Sequence, residues 1–99
     1  MTDDTVHPLH ERVRDNAAQN RFELDAFGAT AIADYRLHGD RMEITHTLVR
    51  PELRGKGVAG ELIEGALLEA RRRGLKVVPT CAYVDAYLRR HPEFADLRG

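Results

Sequence analysis

The stretch Leu48-Val49-Arg50-Pro51-Glu52-Leu53-Arg54-Gly55-Lys56-Gly57-Val58-Ala59 decides how the rest of the chain is read. On its N-terminal side, Arg41 to Arg50 carries Met42, Ile44, Leu48 and Val49 with Thr45 and Thr47. That composition is β-rich, and Pro51 must end the run because proline brings no N–H to a ladder. On its C-terminal side, Val58, Ala59, Leu62, Ile63, Ala66, Leu67 and Ala70 recur at helical spacing on one face. A strand feeding a glycine-rich loop that opens a helix is an anion site by construction. The first helical N–H groups have no intrahelical partner and lie at the positive end of the dipole. Gly55 and Gly57 let the backbone approach a phosphate without Cβ interference, and Arg50, Arg54 and Lys56 add cationic side chains. The alternative is a plain helix entry with turn glycines.

The spacing narrows the ligand. A mononucleotide P-loop needs a Gly-Lys-Ser/Thr ending, which Gly55-Lys56-Gly57-Val58 lacks. Gly55-Lys56-Gly57-Val58-Ala59-Gly60 has the letters of a dinucleotide fingerprint. No ribose-binding acid follows at the required distance, and 99 residues are too few for a two-half Rossmann sheet.

Outward from this centre, Glu61 and Glu64 occupy early turns of the helix, Arg71-Arg72-Arg73 its last, and Gly74 follows as an αL cap. The arginines read as a solvated turn complementing the dipole, with contact to an adenosine phosphate as the minor alternative. Leu75 to Cys81 reads as a buried strand, and a last helix runs from about Tyr83 to Arg90, stopped by Pro92. Upstream, Phe22, Leu24 and Ala26 alternate with Arg21, Glu23 and Asp25 as in a strand buried on one face. Gly28 breaks that run, and Ala29 to Leu37 then turns through His38-Gly39-Asp40 into the central strand. Glu11 to Asp15 is a candidate edge strand, and Asn16 to Asn20 a turn or brief helical turn. Residues 1–10 read as a flexible N-terminus and 11–99 as one domain.

Fifteen basic against sixteen acidic residues give a formal charge of −1, so the overall field offers no attraction to nucleic acid or anionic lipid. Only six residues in a hundred are aromatic, none clustered beside the basic ones, which further disfavours nucleic acid. Cys81 is the only cysteine, so neither a disulfide nor a thiolate zinc site staples the chain, and a reducing cytoplasm is expected. The acidic opening Met1-Thr2-Asp3-Asp4-Thr5 is unlike a secretory signal, and no apolar run approaches a membrane span.

Arg54-x-x-Gly57-x-Ala59, placed after Leu48-Val49-Arg50-Pro51, resembles the acetyl-CoA signature Arg/Gln-x-x-Gly-x-Gly/Ala of the GNAT superfamily. Residues 21–98 are similar to that fold's core. More narrowly, His46-Thr47-x-Val49, the Arg-Gly-x-Gly-Val-Ala loop, Lys76-Val77-Val78-Pro79-x-Cys81 and Tyr87-x-x-x-His91-Pro92-Glu93 resemble its short stand-alone subfamily. The resemblance implies an α+β, minimal GNAT (acyl-CoA N-acyltransferase) fold, with a mixed, mostly antiparallel sheet and two main helices packed on it. It implies acetyl-CoA as co-substrate, no metal, and main-chain amides from Gly55 through Lys56, Gly57 and Val58 to Ala59 on the pyrophosphate. Leu48 and Val49 would then pair with the pantetheine arm where two parallel strands splay apart.

Four residues are candidates for the chemical step. Transfer of acetyl from a thioester to an amine needs a deprotonated amine, a stabilised oxyanion and a proton for the leaving thiolate. The resemblance implies that a strand amide at Leu48 polarises the carbonyl and that Tyr87 lies near the sulfur; core packing is the competing role for Tyr87. His46 is a candidate general base by its ordinary pKa, or else a buried structural histidine. Glu43 is a second candidate base, or an exposed edge acid. Cys81, just before the last helix, is a candidate nucleophile, or a small buried residue.

Larger family members place two helices between their first two strands to wall the acceptor pocket, whereas here only Asn16 to Asn20 separates them. The acceptor side is therefore expected to be open, or completed by a second subunit or by a bulky substrate. The resemblance implies an amine acceptor, on a protein or a small molecule, and a monomer or weak homodimer is expected. A non-catalytic CoA-binding module is the alternative function.

Overall fold

A computed structural model describes residues 12–99; the expected loose terminus, residues 1–10, lies outside the described residues. Alternation of apolar and polar side chains makes β2 (Arg21–Ala26) and β3 (Ala29–His38) an antiparallel pair in which Phe22 faces Ala33 and Leu24 faces Ala31. The two-residue connection Phe27-Gly28 has both φ angles positive, at 52° and 79°, the twist that a tight hairpin requires. β4 (Arg41–Leu48) continues the meander, and β1 (Arg14–Asn16) pairs outside β2, three residues later in the chain than its sequence signal begins. After the helix α1 (Val58–Arg72), the short strand β5 (Lys76–Pro79) lies parallel to β4, and α2 (Ala82–Arg90) follows. The five strands stand in the order β1-β2-β3-β4-β5, antiparallel except for the last pair. This is the mixed, mostly antiparallel sheet with two main helices that the family resemblance implies.

One irregularity sets which side chains of β4 face the helices. Tyr35 pairs with Ile44 but Asp34 pairs with His46, so Thr45 is an extra residue on β4 and the ladder slips by one. Met42 and Ile44 are fully buried on the helix side before the slip. After it, Thr47 and Val49 take that side, while His46 and Leu48 turn to the open face.

α1 lays Val58, Leu62, Ile63, Ala66, Leu67 and Ala70 against the inward side chains of β2, β3 and β4. It ends as predicted at Gly74, with φ of +71°, whose neighbour Leu75 donates its N–H to Ala70 O at 2.9 Å. The three arginines of its last turn are exposed and occupied: Arg71 bonds Asp96, Arg72 bonds Glu69 and Arg73 bonds Asp15. α2 contributes Val84 and Leu88, and the turn Pro92–Leu97 contributes Phe94 and Leu97 to the same core. β5 is less buried than expected, with only Val77 fully enclosed, because it borders the sheet. That border is covered by the end of the chain, where Arg98 bridges to Val77 and the Gly99 N–H donates to Val77 O at 2.8 Å. No helix among the described residues is long and apolar enough to cross a membrane.

The opposite border is held by charge. Glu23 is buried on the open face and accepts hydrogen bonds from Asn16, Arg14 and Arg21 at 3.0, 2.6 and 2.8 Å. These donors, Asn16 first, pull its carboxyl from the usual 4.5 down to about 2. A carboxylate depressed on folding stabilises fully above its unfolded value and progressively less as pH falls through its folded one. The stabilisation is thus expected to drain away between about pH 4.5 and 2, and Glu23→Gln should flatten this acid limb in urea titrations monitored by circular dichroism. A second test concerns Gly65, where an added Cβ would stand 2.5 Å from Val13 Cγ2 and 2.7 Å from its Cβ. Gly65→Ala is expected to lower the unfolding free energy by about 1–3 kcal/mol despite alanine's better helix propensity, because overpacking outweighs it.

Candidate functional site

Where β4 outruns β5 the sheet opens. Parallel pairing stops at Ile44 and Pro79, and the Cys81 N–H then donates to Ile44 O at 3.0 Å, turning the chain away into α2. Thr45 to Leu48 continue without a β5 partner. A short turn, Pro51–Leu53, carries the chain across this end of the sheet, anchored by the fully buried Leu53. Gly55 and Gly57 follow with φ of +78° and +76°, left-handed values that favour glycine, and α1 begins at Val58.

The loop holds its shape with two of its own amides: Arg54 N–H reaches Pro51 O at 3.1 Å and Lys56 N–H reaches Leu53 O at 3.3 Å. No side chain caps α1 at Gly57, whose carbonyl accepts the first helical bond, from Glu61. The amides of Gly57, Val58, Ala59 and Gly60 therefore precede the first helical donor, Glu61, and carry no protein partner among the described residues. A cavity of about 420 Å³ opens on this turn, lined by Thr47, Val49, Leu53, Arg54, Gly55, Gly57, Val58, Ala59, Gly60 and Tyr83. Dipole, bare amides and space coincide there. Arg54 is exposed and forms no ion pair among the described residues, whereas Arg50 is tied to Glu52 at 2.9 Å. The Lys56 ammonium stands over the ring of Phe27.

A second cavity, of about 660 Å³, continues between α1 and α2 and shares Gly57, Gly60 and Tyr83 with the first. Tyr87 lines this second space, stacked on His91 with ring centroids 3.8 Å apart. His91 Nδ1 lies 2.9 Å from Tyr87 O and must donate there, since a carbonyl only accepts. Burial, reinforced by Glu64, pushes the Tyr87 phenol up to about 12, so it is a proton donor at neutral pH. Glu61, also at this cavity, is paired with Arg12 at 2.9 Å.

The remaining candidates divide between the two faces of the sheet. Cys81 is the N-cap residue of α2, half-buried on the helix side, with Sγ 3.6 Å from Thr47 Oγ1. Burial pushes its thiol up, but the Val84 and Tyr83 amides and the Thr47 hydroxyl outweigh burial and hold it below the usual thiol value. His46 and Leu48 are exposed on the open face, and Glu43 sits there too, accepting from Thr80 Oγ1 at 2.6 Å and lying 3.0 Å from His38 Nε2. Those contacts, Thr80 first, hold the Glu43 carboxyl below its ordinary value. The helix side thus gathers Val49, Arg54, Gly55, Gly57, Val58, Ala59, Cys81 and Tyr87, and the open side His46, Leu48 and Glu43. Thr47, Leu53, Gly60 and Tyr83 line the cavity without being candidate site residues in the sequence. Tyr83 lies four residues before Tyr87 and helical spacing would have found it; Thr47 depends on the slip at Thr45, which no residue pattern announces.

Two comparisons with known proteins bear on this arrangement. A family model described as GCN5-related N-acetyl-transferase matches residues 21–97. The NMR solution structure of a GCN5-like protein from Staphylococcus aureus superposes with a TM-score of 0.70 at 27% identity, covering 88% of this chain and 86% of that one. The thiol environment gives a direct check: alkylation of Cys81 by iodoacetamide is expected to titrate below an ordinary thiol, and Thr47→Val should move that midpoint upward.

Proposed function

Because the chain belongs to the GCN5-related N-acetyltransferase family, we propose that it binds acetyl-CoA at the mouth of α1 and transfers the acetyl group to an amine. The observation that carries this reading is the set of bare amides at Gly57 to Gly60 opening on a cavity that Arg54 borders. A diphosphate supplies the acceptors that those amides lack. From there the cavity runs past Val49 to Thr47, toward the split between β4 and β5, a path suited to a pantetheine arm.

The two faces suggest a division of labour. Coenzyme enters from the helix side and the amine from the open side, so that they meet at the gap beyond Ile44. The amine nitrogen attacks the thioester carbonyl, the C–N bond forms as the C–S bond breaks, and the proton lost by the amine ultimately accompanies the departing sulfur. His46 or Glu43, on the open face, takes the amine's proton; the Leu48 amide stabilises the oxyanion; Tyr87 or Tyr83 donates to the thiolate. Cys81 beside Thr47 is a positioning thiol or, in a double-displacement variant, an acyl carrier. An open acceptor side suits an exposed amine on a protein or a small amine enclosed by a second subunit. A single free thiol and a CoA co-substrate suit the cytoplasm.

Acetyl-CoA at a hundredfold over its Kd is expected to stabilise the fold by about 2.7 kcal/mol in a thermal shift assay, with ATP giving much less. An equal response to ATP would remove the coenzyme A assignment. Arg54→Ala should weaken acetyl-CoA binding about tenfold or more by calorimetry while leaving the melting temperature of the free protein unchanged, since Arg54 is exposed and makes no ion pair among the described residues. An amine-library turnover assay separates the enzyme from a non-catalytic CoA-binding module, which would bind without transfer.

A further inference from the structure

The β2–β3 hairpin tip carries a residue that its own turn disfavours. A two-residue hairpin loop with both φ angles positive selects Asn or Asp before Gly, yet Phe27 occupies the first position with φ of +52°. A bulky side chain held in the left-handed region is a costly outlier, of the kind that collects at functional sites. The ring gains no compensating burial: Phe27 is 70% exposed, the most exposed large apolar side chain among those described. Packing therefore does not account for phenylalanine here.

Its surroundings do. The tip stands at the end of the sheet crossed by the phosphate loop, and Lys56 Nζ, from the middle of that loop, lies 5.0 Å from the ring centroid. One exposed aromatic face and one cation thus stand side by side next to the bare amides of Gly57 and Val58. A nucleotide presents the complementary pair, a planar base and a diphosphate joined through a ribose. Resting on the coenzyme reading above, we propose that Phe27 is a stacking platform for the adenine ring of CoA. Lys56 covers the ring when the site is empty and shifts to the phosphates when it is filled. A base offers its π-face to such a ring whatever its edge pattern, which is the usual way exposed aromatics hold nucleotides.

The test uses the full chain and two ligands, CoA and 4′-phosphopantetheine, which keeps a phosphate and the arm but lacks adenosine. Phe27→Asn installs the residue the turn prefers, so the variant should melt at the same temperature or higher. It is expected to bind CoA about tenfold more weakly by calorimetry, the usual scale for losing one stacked base, with 4′-phosphopantetheine affinity unchanged. Phe27→Trp should retain CoA affinity. A Phe27→Asn protein that binds CoA as the parent does, or that loses both ligands equally, overturns the platform. An unmodified protein that binds neither ligand is a different result: it overturns the coenzyme reading and takes the subsite with it.

Discussion

The molecule is organised by what happens to β4 after Ile44. One extra residue, Thr45, shifts its register against β3, and its parallel neighbour β5 leaves at Pro79. The first event exchanges which side chains look toward the helices; the second removes a row of backbone partners. Had alternation continued, Ile44, His46 and Leu48 would all point inward, and a histidine and a leucine would fill the space that Thr47 and Val49 now border. The cavity therefore exists because the strand is irregular. The glycine loop is its continuation, since the same strand end delivers the chain to Leu53, whose burial holds the loop at the site.

Much of this was readable in the residues. Apolar periodicity located β2, α1 and α2 to within a residue or two, and glycine chemistry marked the turns at Gly39 and Gly74 and the loop at Gly55 and Gly57, all of which have positive φ. The bare amides follow from helix geometry and from glycine at the N-cap, so their position could be derived before any coordinates. The slip at Thr45 could not. A bulge changes which side faces inward without changing composition, and Thr45 resembles Thr47 in every local respect. For the same reason the faces of His46 and Leu48 were hidden. The exposure of β5 was hidden because a short apolar run reads alike at the border and in the middle of a sheet. Phe27 escaped notice because its significance lies in a dihedral angle and a neighbour, both tertiary.

Stability and the candidate chemistry draw on different parts of the chain. The core lies between one sheet face and the helices, and the charged cluster around Glu23 secures the β1 border on the other face. The site occupies the end of the sheet, away from the Glu23 cluster and at the margin of the core, where Leu53 and Val58 line its cavity. Its uncapped helix and the exposed Phe27 at positive φ are each locally unfavourable, and the nearby core over-determines them. Such a distribution matches the view that a fold departs from local rules mainly where it meets a ligand.

The pairing of Arg98 and Gly99 with Val77 bears on self-association. A sheet normally has two free borders, and either can recruit a strand from another molecule. Here the middle of the β5 border is already taken by Arg98 and Gly99, and β1, only three residues long and crowded with the side chains that grip Glu23, is a poor template. Neither border of the sheet therefore invites a strand from another molecule to extend the ladder.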